Sequence, residues 1–148
     1  MEIPYDDNSR IVNLDETPCF FDMYYDTTID FEGKKNFDIK TFGKEKYRVS
    51  ILLSVTGDGI KLPSFIIIKG EEGKTIEKQM NDLFYVKSKN MFVHCQPQGW
   101  CTSELFCAWV KEVFIPYENL LSEKCLLVMD KASVHISEDS IEFLKKKY

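Results

Sequence analysis

Two runs of β-branched and apolar residues, one on each side of a short glycine-rich turn, constrain the fold of this chain most strongly. The runs cover residues 49–55 and 62–68, and the sequence TGDG lies between them. Val and Ile favour the extended backbone, and a Gly-Asp-Gly segment supplies the conformations that a tight turn needs. The pattern predicts a β-hairpin, so the fold must contain a sheet.

The remaining patterns predict strands and helices in alternation. RIVNLDET is typical of a short strand that Pro18 ends, and the following CFFDMYY either continues this strand or begins a loop. MFVHC predicts a short strand, and a helix is possible over residues 74–80. CLLVMD is a continuous apolar run that predicts a fully buried central strand ending in Asp130. Together these elements indicate an α/β fold.

Two helices are predicted in the second half of the chain. Apolar residues recur at four-residue intervals from Leu105 to Phe114, which predicts a helix over residues 103–115 with one broad apolar face. Thr102 or Ser103 can cap its start, and Pro116 is expected to stop it. Ser137 is expected to cap a last helix, EDSIEFLKKK, whose charges suit the helix dipole.

Length and hydropathy indicate one domain that does not cross a membrane. The chain has 148 residues, of which 44% are hydrophobic. Its most apolar windows, VSILLSV and CLLVM, are far shorter than the roughly 20 residues of a membrane span, and its N-terminus does not resemble a signal peptide. We therefore expect a soluble, intracellular protein.

The cysteines indicate free thiols. There are five, an odd number, and none forms a CxxC pair. His94 and Cys95 lie near Cys101 and Cys107 in the sequence, which leaves a zinc site as an alternative, although the five-residue gaps do not match structural zinc spacing.

Charge is unevenly distributed along the chain. The net charge of the chain is −5. A strongly acidic segment, residues 1–32, is followed by a basic segment, residues 33–48. A basic stripe of this kind is typical of contacts with DNA phosphates, and a solvated loop and strand face is the alternative. The candidate DNA-binding residues are Lys34, Lys35, Lys44, Lys46 and Arg48.

Two predicted strands each end in an aspartate. Asp15 and Asp130 are 115 residues apart in the sequence, and they would lie at one edge of the sheet if their strands were neighbours. Paired carboxylates are the ligands that Mg²⁺ or Mn²⁺ prefers, and such ions promote the cleavage of phosphodiesters. The alternative is that both acids form turns or caps. His135 would then be a loop histidine bonded to backbone, and Glu16, on the opposite face from Asp15, a structural residue.

Several ordered motifs resemble the DDE superfamily endonuclease domain of pogo, Tigger and jerky type transposases. They are NLDETP, GKEKYR, DGIKLP with IIKG, the Gly-Trp pair before a helix, and LLVMDKASVH. The resemblance covers roughly residues 10 to 147, so residues 10–148 are expected to form the domain and residues 1–9 an N-terminal segment. Gln98 stands where the family usually has asparagine, a mild departure.

The resemblance implies an RNase H-like fold, with a mixed five-stranded sheet flanked by helices, and metal-dependent cutting and joining of DNA. Asp15 matches the family's first catalytic aspartate and Asp130 the second, while His135 matches a position that often holds histidine. The implied cofactor is Mg²⁺ or Mn²⁺, the partner is DNA and the location is the nucleus. Self-association, as in transposases, is also possible.

The family's third acid lies on a helix beyond a further strand, and a helix-turn-helix region precedes its nuclease domain. The sequence matches neither, so we expect the C-terminal part of the fold to be missing and the chain alone to be catalytically weak or inactive. We also expect exposure of the apolar helix face at residues 105–114 and of one side of the 125–129 strand. The alternatives are a non-catalytic module that binds DNA or protein, and an unrelated metal phosphoesterase that uses Asp130 and His135.

Overall fold

The computed structural model describes residues 8–21, 32–33, 48–70 and 90–147. The candidate helix at residues 74–80 lies outside this part of the chain. After a short 3₁₀-helix at Asn8–Arg10, the strands are β1 (Ile11–Phe20), β2 (Arg48–Thr56), β3 (Ser64–Lys69), β4 (Met91–Gln96) and β5 (Leu126–Val128). The helices are α1 (Ser103–Trp109), a π-helical segment (Val110–Phe114), α2 (Ile115–Leu121) and α3 (Glu138–Lys147).

The five strands form one mixed sheet in the order β4-β3-β2-β1-β5. β2 is antiparallel to both β1 and β3, whereas β4 is parallel to β3 and β5 is parallel to β1. The predicted hairpin is confirmed as β2 and β3, and Gly59, with a φ of 92°, lies in its turn and donates its N–H to the Thr56 carbonyl oxygen at 2.9 Å. This mixed sheet with its helices is consistent with the α/β RNase H-like fold.

The helices bury one face of the sheet. Val12 and Leu14 of β1 and Leu52 of β2 point into the same core as the helix residues, whereas Leu53 on the other face is 48% exposed. The predicted apolar helix face is confirmed and closely packed against the sheet: its buried members are Phe106, Trp109, Val110, Val113 and Phe114. The expectation that this face would be exposed is therefore wrong.

The prediction that Pro18 ends the first strand is wrong, because β1 continues to Phe20 and Pro18 lies opposite Ser50 of β2. Proline is tolerated here because β5 pairs only with Ile11–Asn13. Beyond Asn13, β1 has no paired strand on the β5 side among the described residues, and an edge position loses little from a missing N–H.

Pro116 does not stop the helix that begins at Ser103, contrary to the prediction. The helix instead widens into the π-helical segment, in which Ile115 donates its N–H to the carbonyl oxygen of Val110, and then continues as α2 with Pro116 in its first turn. Proline lacks the N–H that would bond to residue 112, and its ring crowds that carbonyl. A wider turn relieves this conflict and lets the chain remain helical.

β5 is a short edge strand among the described residues rather than the fully buried central strand that the apolar run predicts. Leu126 is 49% exposed and Val128 is 42% exposed, as expected for one side of this segment, whereas Leu127 packs against the core. A continuous apolar run indicates burial on both faces only where neighbouring elements cover both faces. No element within the described ranges covers Leu126 and Val128.

Polar contacts fix β5 against the start of β1. Arg10 forms an ion pair with Glu123, with its Nη1 3.0 Å from Oε2, and its Nε–H donates to the carbonyl oxygen of Lys124 at 3.2 Å. The buried Glu118 side chain accepts a hydrogen bond from the backbone N–H of Cys125 at 3.0 Å. These contacts hold the first residues of β5 beside the first residues of β1.

Both predicted helix caps are confirmed. The Thr102 hydroxyl accepts the N–H of Leu105 at 3.3 Å, and the Ser137 hydroxyl accepts the N–H of Ser140 at 3.2 Å. Ser137 also lies 2.8 Å from the hydroxyl of Ser103, so the N-terminal ends of α1 and α3 are joined. None of the helices described here has the length and apolar character that a membrane span requires.

Candidate functional site

The two predicted metal-binding aspartates lie at the same level of neighbouring parallel strands. Each paired residue of β5 has a number 115 higher than its partner in β1, from Ile11 with Leu126 to Asn13 with Val128. Asp130 follows Asp15 by the same 115 residues and is two positions beyond the last pair. Parallel strands in register therefore bring the two carboxylates to one end of the β1 and β5 pair.

Asp15 is not at the end of its strand, as the sequence pattern suggested, because β1 continues for five residues beyond it. What ends near Asp15 is the pairing with β5. Where β5 stops and β1 goes on, the two segments separate and leave a cavity of about 260 Å³. Its lining residues are Asp15, Glu16, Pro18, Arg48, Ser50, Trp100, Asp130, Ala132 and His135.

Asp130 is held by the loop that follows it. Its Oδ1 lies 2.8 Å from Nδ1 of His135 and accepts the backbone N–H of Ala132 at 3.2 Å. His135 is 5% exposed and packs against the ring of Phe106, with 5.0 Å between the ring centroids. The histidine is therefore satisfied partly by the Asp130 backbone, at 3.2 Å, as the alternative reading expected, and also by the carboxylate. Both of these contacts of the carboxylate use Oδ1.

Asp15 is exposed, and its Oδ1 accepts the backbone N–H of Glu16 at 2.9 Å. Glu16 is half-buried and lines the same cavity, whereas strand alternation suggested a structural residue on the face opposite Asp15. Burial raises the pKa of the neighbouring Cys101 thiol to about 12, and the negative charge of Glu16 adds to this effect. Cys101 is therefore a neutral thiol at physiological pH.

The structure places Arg48 of the predicted basic stripe at the rim of the cavity. Lys34, Lys35, Lys44 and Lys46 lie outside the described residues. The guanidinium carbon of Arg48 is 3.6 Å from the ring centroid of Trp100 and 5.7 Å from that of Phe20. Sequence reasoning missed Trp100 as a site residue. In the sequence, the Gly-Trp pair indicated only the resemblance to a family. Trp100 and Arg48 are 52 positions apart, so their contact could not be predicted from the sequence.

The described residues contain no group of three or more His, Cys, Asp or Glu side chains close enough to hold a metal ion. For the zinc alternative this means that Cys95, Cys101 and Cys107 do not converge on a site with His94. Burial also raises the pKa of Cys107, which disfavours the thiolate that zinc requires. Asp15 and Asp130 offer two oxygen ligands at one cavity, which fits a hard divalent ion that takes its other ligands from water and substrate.

A larger cavity of about 530 Å³ lies beside β4, away from the aspartates. His94 and Glu112 form a pair across it, with Nε2 and Oε2 2.9 Å apart, and the His94 ring stacks on Phe65 at a centroid distance of 4.5 Å. Size alone does not identify a site. The smaller cavity is the better candidate because it combines the paired carboxylates, a buried histidine that holds one of them and the half-buried cation Arg48.

Comparisons with known proteins agree with these features. The model of the DDE superfamily endonuclease family matches residues 46–147. The chain is 33% identical over 109 residues to the mouse protein "Pogo transposable element with KRAB domain" and 32% identical over 109 residues to its human counterpart. It is 24% identical over 136 residues to the human "Pogo transposable element with ZNF domain".

These matches cover 72%, 72% and 92% of the chain but only 16%, 16% and 9% of the respective relatives. The chain thus corresponds to a small part of each relative. No solved structure matches the chain significantly. The family model spans more than half of the sequence and includes β2 to β5, the helices and the Asp130 loop. The chain therefore belongs to the DDE superfamily endonuclease family and is similar within it to pogo transposable element proteins.

Proposed function

We propose that this domain holds Mg²⁺ or Mn²⁺ with Asp15 and Asp130 and acts on the phosphodiester backbone of DNA. The observation that supports this most directly is the common offset of 115 residues, which aligns the two aspartates on neighbouring parallel strands at one cavity. Asp130 also makes the turn contact that the alternative expected, with the N–H of Ala132, but turn formation does not account for the shared register and cavity with Asp15. Family membership supports the same chemistry.

In this proposal Oδ1 of Asp130 stays bound to His135 and Ala132, so that Oδ2 is presented to the ion in a fixed orientation. Asp15, on the neighbouring strand β1, would supply the second carboxylate. A bound divalent ion would supply Lewis-acid stabilisation of the charge that develops on the phosphodiester oxygens. Water would attack phosphorus and break the bond from phosphorus to the 3′ oxygen, which leaves a 5′-phosphate on one strand end and a 3′-hydroxyl on the other. That hydroxyl would then attack a phosphodiester of the target DNA, and the 3′ oxygen of the target strand would leave as a hydroxyl.

We expect metal binding to be measurable and cleavage by the 148-residue chain to be weak or absent. Two carboxylates hold an ion less firmly than three, and the described residues bring no set of three metal-binding side chains together. Arg48 is the described cation at the cavity and is expected to contact DNA. Lys34, Lys35, Lys44 and Lys46 complete the proposed DNA-binding set.

Titration with Mn²⁺ tests the metal site without relying on activity. The free ion is followed by electron paramagnetic resonance in the wild type, Asp15→Asn, Asp130→Asn and the double variant. Each single change should weaken binding by at least tenfold, and the double variant should bind no more than background. Asp139→Asn, on the exposed first turn of α3 and outside the cavity, serves as the matched control. Equal affinity in all variants would refute the proposed site.

The second candidate is a non-catalytic module that binds DNA or protein, and the lack of a three-ligand cluster in the described residues favours it. DNA affinity should then fall steeply with salt, because phosphate contacts release counterions. Neutralising Lys34, Lys35, Lys44, Lys46 and Arg48 to glutamine should flatten this dependence, with or without metal. Salt-independent affinity would exclude the basic stripe as the DNA contact.

Nuclear location and self-association belong to the same proposal. A protein that acts on chromosomal DNA must reach the nucleus, which microscopy of the tagged chain can check.

Self-association is supported by the exposed apolar residues Leu126 and Val128 on the β5 edge, since such an edge readily pairs with another chain. Light scattering across a range of protein concentrations would detect it.

A further inference from the structure

Trp100 combines an anchored backbone with an exposed side chain at the rim of the cavity. Its N–H is 3.3 Å from Oε1 of Gln96, and the preceding Gly99 donates its N–H to the Gln96 carbonyl oxygen at 3.0 Å. Ser50, buried under this turn, donates its hydroxyl to the Gly99 carbonyl oxygen at 3.1 Å. The indole nevertheless remains 52% exposed. The turn therefore fixes an aromatic ring in place without burying it.

Arg48 orders this ring further. The guanidinium carbon lies over the indole, 3.6 Å from the ring centroid, and makes a longer cation–π contact of 5.7 Å with the Phe20 ring. Arg48 forms no ion pair with a carboxylate of the described residues. Stacking uses a face of the guanidinium, which leaves its in-plane N–H groups available as phosphate donors.

We propose that Trp100 and Arg48 receive one unpaired nucleotide of DNA next to Asp15 and Asp130. The open surface of the indole stacks on the base, and the Arg48 guanidinium binds the adjoining phosphate. An unpaired base is required because duplex bases already stack on their neighbours, whereas single-stranded bases offer a free face to aromatic side chains. This inference rests on the proposed function, because it states which part of the DNA substrate binds at the cavity of Asp15 and Asp130.

The charges of the cavity indicate that binding of the nucleotide depends on a divalent metal ion. Asp15, Glu16 and Asp130 line the cavity together with one guanidinium, so its carboxylates outnumber the permanent cation. A DNA phosphate would be repelled unless a divalent ion offsets these carboxylates. The nucleotide is therefore expected to reach Trp100 in the presence of Mg²⁺ and to bind poorly in chelator.

The test uses the full 148-residue chain, Mg²⁺ and a labelled DNA hairpin with a short single-stranded 3′ thymidine tail. A second hairpin carries abasic residues in the same tail, so that the two probes differ only in their bases. Fluorescence anisotropy gives the affinity for each probe. Tryptophan emission gives the contact, since the only other tryptophan, Trp109, is fully buried and provides an internal reference.

The wild type should prefer the thymidine tail over the abasic tail by roughly tenfold, the scale of a stacked base, and the thymidine tail should quench its emission. Trp100→Ala should bind both tails equally, and Trp100→Phe should restore part of the preference. Arg48→Gln should weaken both tails. Phe21→Ala, an exposed aromatic residue outside the cavity lining, should behave as the wild type.

Equal affinity of the wild type for the two tails, or a preference that survives in Trp100→Ala, would overturn the inference. Lack of binding to either tail would overturn it as well. In each case the Mn²⁺ titration of Asp15→Asn and Asp130→Asn decides separately whether the metal site of the proposed function stands. Circular dichroism confirms folding of the Trp100 variants, which replace a half-exposed side chain.

Discussion

The imidazole of His135 holds the carboxylate of Asp130 at 2.8 Å while its own ring is packed against Phe106 of the core. A largely buried residue thereby fixes the orientation of a mostly exposed one. The strand itself does not provide this order, because β5 ends at Val128, two residues before the aspartate. Asp130 is therefore positioned by the helical core through His135, in addition to the sheet.

Replacing His135 with alanine is expected to weaken Mn²⁺ binding by roughly 10- to 100-fold, the usual effect of losing a residue that orients a metal ligand. His94→Ala is the matched control. His94 also contacts a carboxylate, that of Glu112 at 2.9 Å, but it lies beside a different cavity. Both variants should lose some stability, and only His135→Ala should lose metal affinity. Equal losses of affinity would mean that His135 acts through stability alone.

Arg10→Ala is expected to lower the free energy of unfolding by about 1–3 kcal/mol, because it removes a charged donor from Glu123 and from the Lys124 carbonyl. Lys146→Ala provides the comparison. It breaks an ion pair with Glu142 at 2.6 Å in which both side chains are exposed, and water screens such pairs so that they add little to stability. Urea denaturation measures both. A cost for Arg10→Ala no larger than that for Lys146→Ala would contradict the structural role of Arg10.

Cys101 is expected to make the fold sensitive to alkaline pH. Burial raises the pKa of its thiol from 9.0 to about 12 in the folded chain. Below pH 9 the thiol is neutral in both states, and its contribution to stability is fully present. Above pH 9 only the unfolded chain forms the thiolate, so the free energy of unfolding falls as pH rises towards 12, by at most about 1.4 kcal/mol per pH unit.

Urea denaturation of the wild type and Cys101→Ser between pH 8 and 10.5 isolates this effect from other groups that titrate in alkali. The free energy of unfolding should fall less steeply in Cys101→Ser, because serine does not titrate in this range. Cys19→Ser, at an exposed position of β1, should follow the wild type. Parallel curves for all three proteins would show that Cys101 does not control the alkaline limit.

Ser137→Ala should destabilise the chain by about 0.5–2 kcal/mol through loss of the α3 cap. The same hydroxyl joins α3 to α1 through Ser103, 2.8 Å away, so the cost should be near the upper end of that range. Thr102→Ala, which removes a single cap contact at 3.3 Å, should cost less. Thermal unfolding of both variants checks the order, and a larger effect at Thr102 would contradict this account.

Local patterns predicted the hairpin, the caps and the apolar helix face, because each depends on residues close together in sequence. The two proline predictions failed for a shared reason. Pro18 is tolerated where β1 has lost its β5 partner, and Pro116 where the helix widens, so in both cases tertiary context relieves the local conflict. The exposed side of β5 likewise depends on which elements cover it, and an apolar run carries no information about that.

The paired aspartates could be proposed from the sequence because each follows an apolar run. The register that places them side by side could not be proposed, because it is set by the pairing of β1 with β5 and by the contacts of Arg10 at the start of β5. The stack of Trp100 on Arg48 was equally out of reach. One residue was assigned to a basic stripe and the other to a motif, and only the folded chain brings them to the same cavity.

Pro18 has a consequence for association as well as for folding. Among the described residues, no strand pairs with the β5 side of β1 past Asn13, and unpaired strand edges can take up a strand from another chain. A strand added there would cover Asp15 and close the cavity. Proline has no N–H to contribute to that ladder, so it discourages strand addition beside the cavity that we propose as the substrate site. Pro18, which the sequence pattern placed at the end of the strand, therefore helps to keep the cavity beside it open.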